Sequence, residues 1–207
     1  MTGVTRSADG VVTGNTYDKY GTRNPLAWLL QRGFERNLQD LLDSTEPDSL
    51  LDVGCGEGVL TQRWAQQLAP RRVVGIDLDD PQLAAEWARH GAANLTYVAH
   101  RAERLPFADR EFDLVTAIEV LEHVPDPERT FAEMARCAAR HVLVSVPREP
   151  LWRAVNMARG AYLRDWGNTP GHVNHFSRAA IAALAGRHGE VIETRAPFPW
   201  TMVLVRV

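Results

Sequence analysis

Leu50-Leu51-Asp52-Val53-Gly54-Cys55-Gly56-Glu57-Gly58 is an apolar run that breaks into a glycine turn, and the turn opens a stretch, Gly58 to Leu68, that reads as a helix. A strand, a glycine turn and a helix start let backbone N–H groups approach a ligand closely, because glycine permits the tight turn and puts no side chain in the way. A nucleotide-like cofactor fits such a place. The dinucleotide version of this turn needs a third Gly or Ala for close helix–strand packing, and Val59 stands there instead. That speaks against a nicotinamide cofactor. The next apolar run, Arg72-Val73-Val74-Gly75-Ile76-Asp77, ends on a carboxylate a little over about 20 residues beyond the turn, where it can accept hydrogen bonds from ribose hydroxyls.

Outward from this unit, strand-like runs alternate with amphipathic stretches. The strands are expected at Ser49–Val53, Arg72–Asp77, Leu95–Ala99, Phe112–Ile118 and His141–Val146, with helices at Gly58–Leu68, Pro81–His90 and Asp126–Ala138. This order predicts an α/β fold with a mostly parallel sheet covered on both faces. Leu105-Pro106-Phe107 is expected to plug a loop into the domain. Ser177 is placed to cap a helix that runs to about Arg187. Two final strands, Val191–Arg195 and Thr201–Val207, are joined by a link too short for a crossover helix, so they should pair antiparallel. Ahead of the core, residues 1–15 read as a flexible tail. From Pro25, Leu26, Leu29, Leu30, Phe34, Leu38, Leu41 and Leu42 fall on one helical stripe, predicting a helix over 25–43 that packs on the domain or lids its site. Residues 16–207 are expected to form a single domain.

Composition narrows the function. At 207 residues, 45% of them hydrophobic and 24% charged, the chain suits one globular domain. Its two cysteines, Cys55 and Cys137, are too few for a disulfide framework. With no leader-like or membrane-spanning apolar run, the expectation is a cytoplasmic protein. A net charge of -3 gives no long-range attraction to a polyanion. A small-molecule substrate is therefore expected, and a nucleic-acid partner is not.

Turn, acid, Leu-Pro-Phe loop and strand–helix order together resemble the class I S-adenosylmethionine-dependent methyltransferases, most closely their type 11 and type 23 branches. The resemblance covers about Tyr17 to Val207 and implies a Rossmann-like, seven-stranded sheet whose last strand is antiparallel. It implies S-adenosyl-L-methionine as cofactor, with Asp52, Gly54, Cys55 and Gly56 facing its methionine part. Asp77 and Leu78 would hold the ribose and flank the adenine, with Ala102, Glu103 and Glu119 also bordering the cofactor. Where the family usually carries an Asp that contacts the adenine amino group, this chain has Arg101, so the backbone of Ala102 takes that part. Tyr17, Tyr20 and Arg23 lie ahead of the first helix, where Tyr20 could close over the methionine end.

The second informative stretch is Ile118-Glu119-Val120-Leu121-Glu122-His123-Val124-Pro125. If a helical turn follows the strand, Glu119, Glu122 and His123 share a face. With His172 or His175 from Gly171-His172-Val173-Asn174-His175, they offer donors for a divalent cation such as Mg, Mn or Zn. The Glu-x-x-Glu-His turn resembles that of metal-assisted O-methyltransferases. Without metal, His123 or His175 could serve as general base, and the turn could equally be a plain helix cap beside the cofactor.

Residues 147–171 form an insert on the substrate side, holding Trp152, Met157, Tyr162, Leu163 and Trp166 among Arg148, Arg153, Arg159 and Arg164. It could wall an aromatic or lipid-like substrate, pair with an anionic group, or simply pack as a surface helix. O-methylation of a small-molecule hydroxyl is the leading expectation. N- or C-methylation, ribose 2'-O-methylation of RNA, and a non-catalytic methyltransferase-like module are the alternatives.

Overall fold

The computed structural model describes Thr5–Arg6, Val12–Thr13 and residues 25–67 and 72–207, with side chains from Ala27 onward. In chain order the elements are β1 (Thr5–Arg6), β2 (Val12–Thr13), α1 (Pro25–Asp43), β3 (Ser49–Val53), α2 (Val59–Gln67), β4 (Arg72–Asp77), α3 (Pro81–Trp87) and β5 (Leu95–Ala99). Then come β6 (Phe112–Ile118), α4 (Pro127–Cys137), β7 (Ala138–Pro147), α5 (Leu151–Ala158), a 3-10 turn (Leu163–Asp165), α6 (Arg178–Ala185), β8 (Glu190–Arg195) and β9 (Trp200–Arg206). Within the segment read as a tail, β1 pairs antiparallel with β2, and the other residues of that segment lie outside the described ones.

Local chemistry sets the helix starts. Asp80 and Asp126 each precede a proline, and each carboxylate accepts from a backbone N–H of the first turn, Gln82 N for α3 and Arg129 N for α4. Ser177 caps α6 by accepting from Ala180 N. The main sheet has seven strands in the order β5-β4-β3-β6-β7-β9-β8. The pairs from β5 through β7 are parallel, and β9 runs antiparallel between β7 and β8. The Rossmann-like α/β fold expected from the sequence is the one observed, with the last strand antiparallel.

Alternation along the central strands builds two cores. Leu51, Val53, Ile76 and Val115 face Phe131 and Met134 of α4 and Ile181 of α6. Leu50, Val73, Leu114 and Leu143 face Phe34, Leu38, Leu41 and Leu42 of α1 and Trp64 of α2. Successive strand residues point to opposite faces, so a continuous Leu-Leu or Val-Val run marks a strand covered on both sides. Each such side chain contributes roughly 1.5–3 kcal/mol relative to exposure. Leu105 is buried in the first core, and the Phe107 ring meets Phe112 edge-on at 5.0 Å. Strand β7 starts at Ala138, earlier than the periodicity indicated, because α4 passes into it with no loop and Ala138 already pairs with Phe112.

From β3 the chain winds outward through β4 and β5, then returns to place β6 on the other side of β3. Neighbouring connections leave in opposite directions here, so a crevice opens at the carboxyl ends of β3 and β6. Among the described residues no helix is long and apolar enough to cross a membrane.

Gly58 shows how tightly this end is built. Its φ is +83°, and a Cβ there would overlap the Tyr97 hydroxyl and lie 2.7 Å from Tyr97 Cζ. Gly56 also has positive φ, +55°, but nothing lies within 4 Å of its would-be Cβ. Gly58→Ala is therefore expected to destabilise by about 2–4 kcal/mol, against about 1–2 kcal/mol for Gly56→Ala. Urea unfolding of the two variants checks the difference, and equal losses would refute it.

Candidate functional site

A cavity of about 340 Å³ occupies the crevice. The glycine turn and the end of β4 form one wall, the end of β6 another, and residues of α1 and α5 close the rest. Backbone and side-chain bonds together hold the turn. Gly54 N and Cys55 N donate to Ile76 O at 2.7 and 3.1 Å, and Gly58 N donates to Cys55 O at 3.0 Å. Asp77 then clamps the turn from the side, its Oδ2 accepting from Gly56 N and its Oδ1 from Leu78 N, each at 2.7 Å. Trp87 Nε1 donates to Gly56 O at 2.8 Å, and the Trp87 ring stacks on Tyr97 at 5.2 Å. Asp77 thus shapes the turn as well as facing the cavity.

Asp52 sits buried below the turn. Its carboxylate accepts from Thr61 Oγ at 2.6 Å and from Thr116 Oγ at 2.8 Å. Burial pushes its pKa up to about 6 from 3.8; the two hydroxyls pull it back only in part, and the nearby Asp77 charge pushes the same way as burial. Burial also raises Asp77 and the Cys55 thiol. The thiol stays neutral, whereas the two carboxyls ionise more readily beside a ligand that carries positive charge at this end.

All nine described residues expected at the cofactor line the cavity: Asp52, Gly54, Cys55, Gly56, Asp77, Leu78, Ala102, Glu103 and Glu119. Arg101, which replaces the expected acid, pairs with Glu103 at 3.6 Å. Tyr20, with Tyr17 and Arg23, lies outside the described residues.

The acids and histidines divide in a way the spacing did not foresee. Glu122, His123 and His172 come together, each offering one donor atom, all within 4.8 Å of one another. Glu122 is buried, His123 Nε2 lies 4.0 Å from Glu122 Oε1, and the His123 and His172 rings meet edge-on at 4.9 Å. His123 Nδ1 lies 3.0 Å from Gly171 O, and a carbonyl only accepts, so Nδ1 carries a proton and the lone pair of the neutral ring is on Nε2.

Glu119 does not join this group. It leaves β6 with φ +61°, which turns its side chain to accept from Ser145 Oγ at 3.0 Å and Trp200 Nε1 at 2.8 Å. His175 is also apart, exposed and bonded to Asn168 Oδ1 at 2.9 Å. The cause is strand-like alternation after Gly171. Asn174 points inward to Leu121 O and Val124 O and Phe176 is buried, which sends Val173 and His175 outward. Of the two histidines offered as general base, only His123 lines the cavity.

The insert supplies α5, whose Trp152, Val155 and Asn156 line the same cavity, together with Arg159, Tyr162 and Thr169. A row of rings crosses its wall: Phe34 to Trp200 at 4.9 Å, Trp200 to Trp152 at 5.6 Å, Trp152 to His172 at 6.2 Å, and His172 to His123. Sequence reasoning missed Thr61, Thr116, Trp87, Tyr97, Ser145 and Trp200 as supports. They come from separate elements and carry no motif, although the buried face of α2 would have placed Thr61 beneath the turn.

A pH dependence follows from Asp52. Between the ordinary carboxylate pKa of 3.8 and about 6 the folded protein keeps a proton that the unfolded chain has lost, so this group's contribution to stability falls as pH rises through that window. Wild type should lose about 2.5 kcal/mol relative to Asp52→Asn between pH 4 and pH 7.5. Urea titrations of both proteins across this range test it, and parallel curves would refute the buried, protonated carboxyl.

Residues 51–144 match the family described as "Methyltransferase domain", type 11. The chain is 37% identical over 117 residues to a ubiquinone biosynthesis O-methyltransferase of Saccharophagus degradans, covering 55% of this chain and 46% of that one. It is 45% identical over 94 residues to the protein of the same name from Hahella chejuensis, covering 43% and 38%. The chain thus spans less than half the length of these relatives. Among solved structures, magnesium protoporphyrin IX methyltransferase from Synechocystis, with bound SAH, superposes with a TM-score of 0.62 at 20% identity, over 90% of this chain and 89% of that one. An S-adenosylmethionine-dependent methyltransferase from Aquifex aeolicus gives 0.65 at 15% identity, over 84% and 88%. Residues 51–144 thus match a methyltransferase domain, and they lie within a seven-stranded Rossmann-like sheet.

Proposed function

We propose that the chain methylates a hydroxyl oxygen of a small, planar aromatic molecule, with S-adenosylmethionine as the methyl donor. The observation that carries this reading is the gathering of Glu122, His123 and His172 on the cavity that also holds the glycine turn. An amine acceptor brings its own lone pair, whereas a hydroxyl must shed a proton as its oxygen bonds to carbon, and this cluster is built to take one. The named relatives, both O-methyltransferases, point the same way. The row of rings from Phe34 to His123 favours a flat aromatic acceptor over an extended polymer.

The donor is a sulfonium whose methyl is electrophilic. The glycine turn faces its methionine part, Asp77 holds its ribose, and the Asp52–Thr61–Thr116 group lies under its positively charged end. The aromatic wall holds the acceptor so that its oxygen meets the methyl in line. Gly171 O fixes the His123 tautomer, so Nε2 takes the hydroxyl proton as the oxygen–carbon bond forms and the carbon–sulfur bond breaks. Buried Glu122 beside the ring stabilises the imidazolium that results.

Glu122, His123 and His172 also suit a divalent cation, one carboxylate and two imidazoles within mutual reach. Such an ion, Mg, Mn or Zn, would supply Lewis-acid activation of the acceptor hydroxyl.

The test is transfer of labelled methyl from the donor to a panel of phenols and matched anilines. Phenols should be the substrates, and His123→Ala should lower kcat by about 10²–10³-fold while SAH affinity stays within about twofold. Tight SAH binding without transfer to any acceptor would favour a non-catalytic module, and preference for anilines would overturn O-methylation. Metal content after purification, with rates before and after chelation, decides between the metal-assisted and metal-free forms.

A further inference from the structure

Thr169 and Asn156 stand on the cavity wall beside Trp152, whose ring stacks on His172, in a hydrogen-bond arrangement that leaves only one reading of their protons. Asn156 is 1% exposed and lies on the inner side of α5. The atom of its amide that faces Gly167 O at 2.8 Å must be Nδ2, because a carbonyl can only accept. Its second hydrogen goes to Thr169 Oγ at 3.1 Å. Trp152 Nε1, a donor only, also gives its hydrogen to Thr169 Oγ, at 2.9 Å.

Thr169 Oγ therefore accepts twice, which occupies both lone pairs, and its own hydrogen is left to be donated. With both Nδ2 hydrogens used, Asn156 has Oδ1 left as an acceptor. Neither group has a further protein partner among the described residues. The arrangement is built: Gly167, at φ +76°, brings its loop close enough over α5 that a Cβ would overlap Arg153 O, and Ala161 N ties the helix end to Asn156 O. A preset donor and acceptor in an aromatic-walled cavity match a group that both accepts and donates one hydrogen bond.

We propose that Thr169 and Asn156 form a recognition subsite for a hydroxyl of the aromatic substrate other than the one that is methylated. Thr169 O–H donates to that hydroxyl's oxygen, and the hydroxyl's own proton goes to Asn156 Oδ1. This rests on the methyl-acceptor reading of the cavity. A substrate whose second oxygen is already an ether loses the bond to Asn156 and leaves a buried acceptor unpaired, so the subsite selects for the free hydroxyl.

The test uses 2-naphthol and 2-methoxynaphthalene as probes, titrated by fluorescence into the full chain with excess SAH. Wild type is expected to prefer 2-naphthol by about tenfold. Thr169→Val should remove that preference, Thr169→Ser should restore it, and 2-methoxynaphthalene affinity should change less than twofold throughout. Equal binding of the two probes to wild type, no binding of 2-naphthol, or a parallel loss of both in Thr169→Val would overturn the proposal. Because valine leaves two donors unpaired and could prevent folding, a second measurement uses wild type alone. An intermolecular NOE between the Thr169 methyl group and the naphthol ring is expected, and its absence overturns the proposal. SAH binding, followed separately by calorimetry, reports on the methyltransferase reading. Its failure would leave the probe results standing on their own.

Discussion

The Asp77 carboxylate ties two neighbouring parallel strands together at the end where the cavity opens. One oxygen takes the Gly56 N–H from the turn after β3 and the other takes the Leu78 N–H at the end of β4, both at 2.7 Å. A carboxylate that accepts two backbone donors in a buried place is costly to lose, since both N–H groups would be left unpaired. The turn adopts one shape because of this clamp, because of Trp87 on Gly56 O, and because Tyr97 fills the space that a side chain at Gly58 would need. The cavity wall formed by Gly54, Cys55, Gly56 and Asp77 depends on that shape.

A second constraint acts from the other side of the crevice. Glu119 leaves β6 in a left-handed conformation that is sterically costly for a side-chain-bearing residue, by about 1–3 kcal/mol. The conformation is maintained by Ser145 on β7 and Trp200 on β9, which both donate to its carboxylate. Trp200 also touches Phe34 of α1 and Trp152 of α5. Glu119 therefore links the end of the central sheet to the aromatic wall, so the two sides of the cavity form one connected framework. The antiparallel placement of β9 between β7 and β8 is what brings Trp200 there.

The insert between β7 and α6 completes the cavity. Its inner side holds Trp152, Asn156 and Thr169 in mutual hydrogen bonds, while Leu163 and Trp166 stay exposed. Aromatic groups of one short segment thus face both ways, and the arginines divide likewise. Arg159 lines the cavity, whereas Arg153 turns to Trp166 O. Aromatic and charged content in such a segment specifies an amphipathic helix, but which members face inward is decided by what the helix packs on.

By itself the sequence determined the layered α/β architecture, the strand and helix order and the glycine turn with its acid. These rest on local periodicity, on Asp-Pro and Ser caps, and on glycines that only a tight turn requires, all of which act within a few residues. The meeting of Glu122 and His123 with His172, and not with Glu119 or His175, was decided only in three dimensions. It depends on a left-handed residue at the end of β6, on alternation in residues 171–176, and on a bond from His123 to Gly171 O across the crevice. The same holds for the hydroxyls that hold Asp52, for Trp200 on Glu119, and for the proton arrangement at Thr169. Each joins residues far apart in the chain, and whether two such side chains meet is fixed by packing of the sheet and its helices, for which no short stretch of sequence carries a signal.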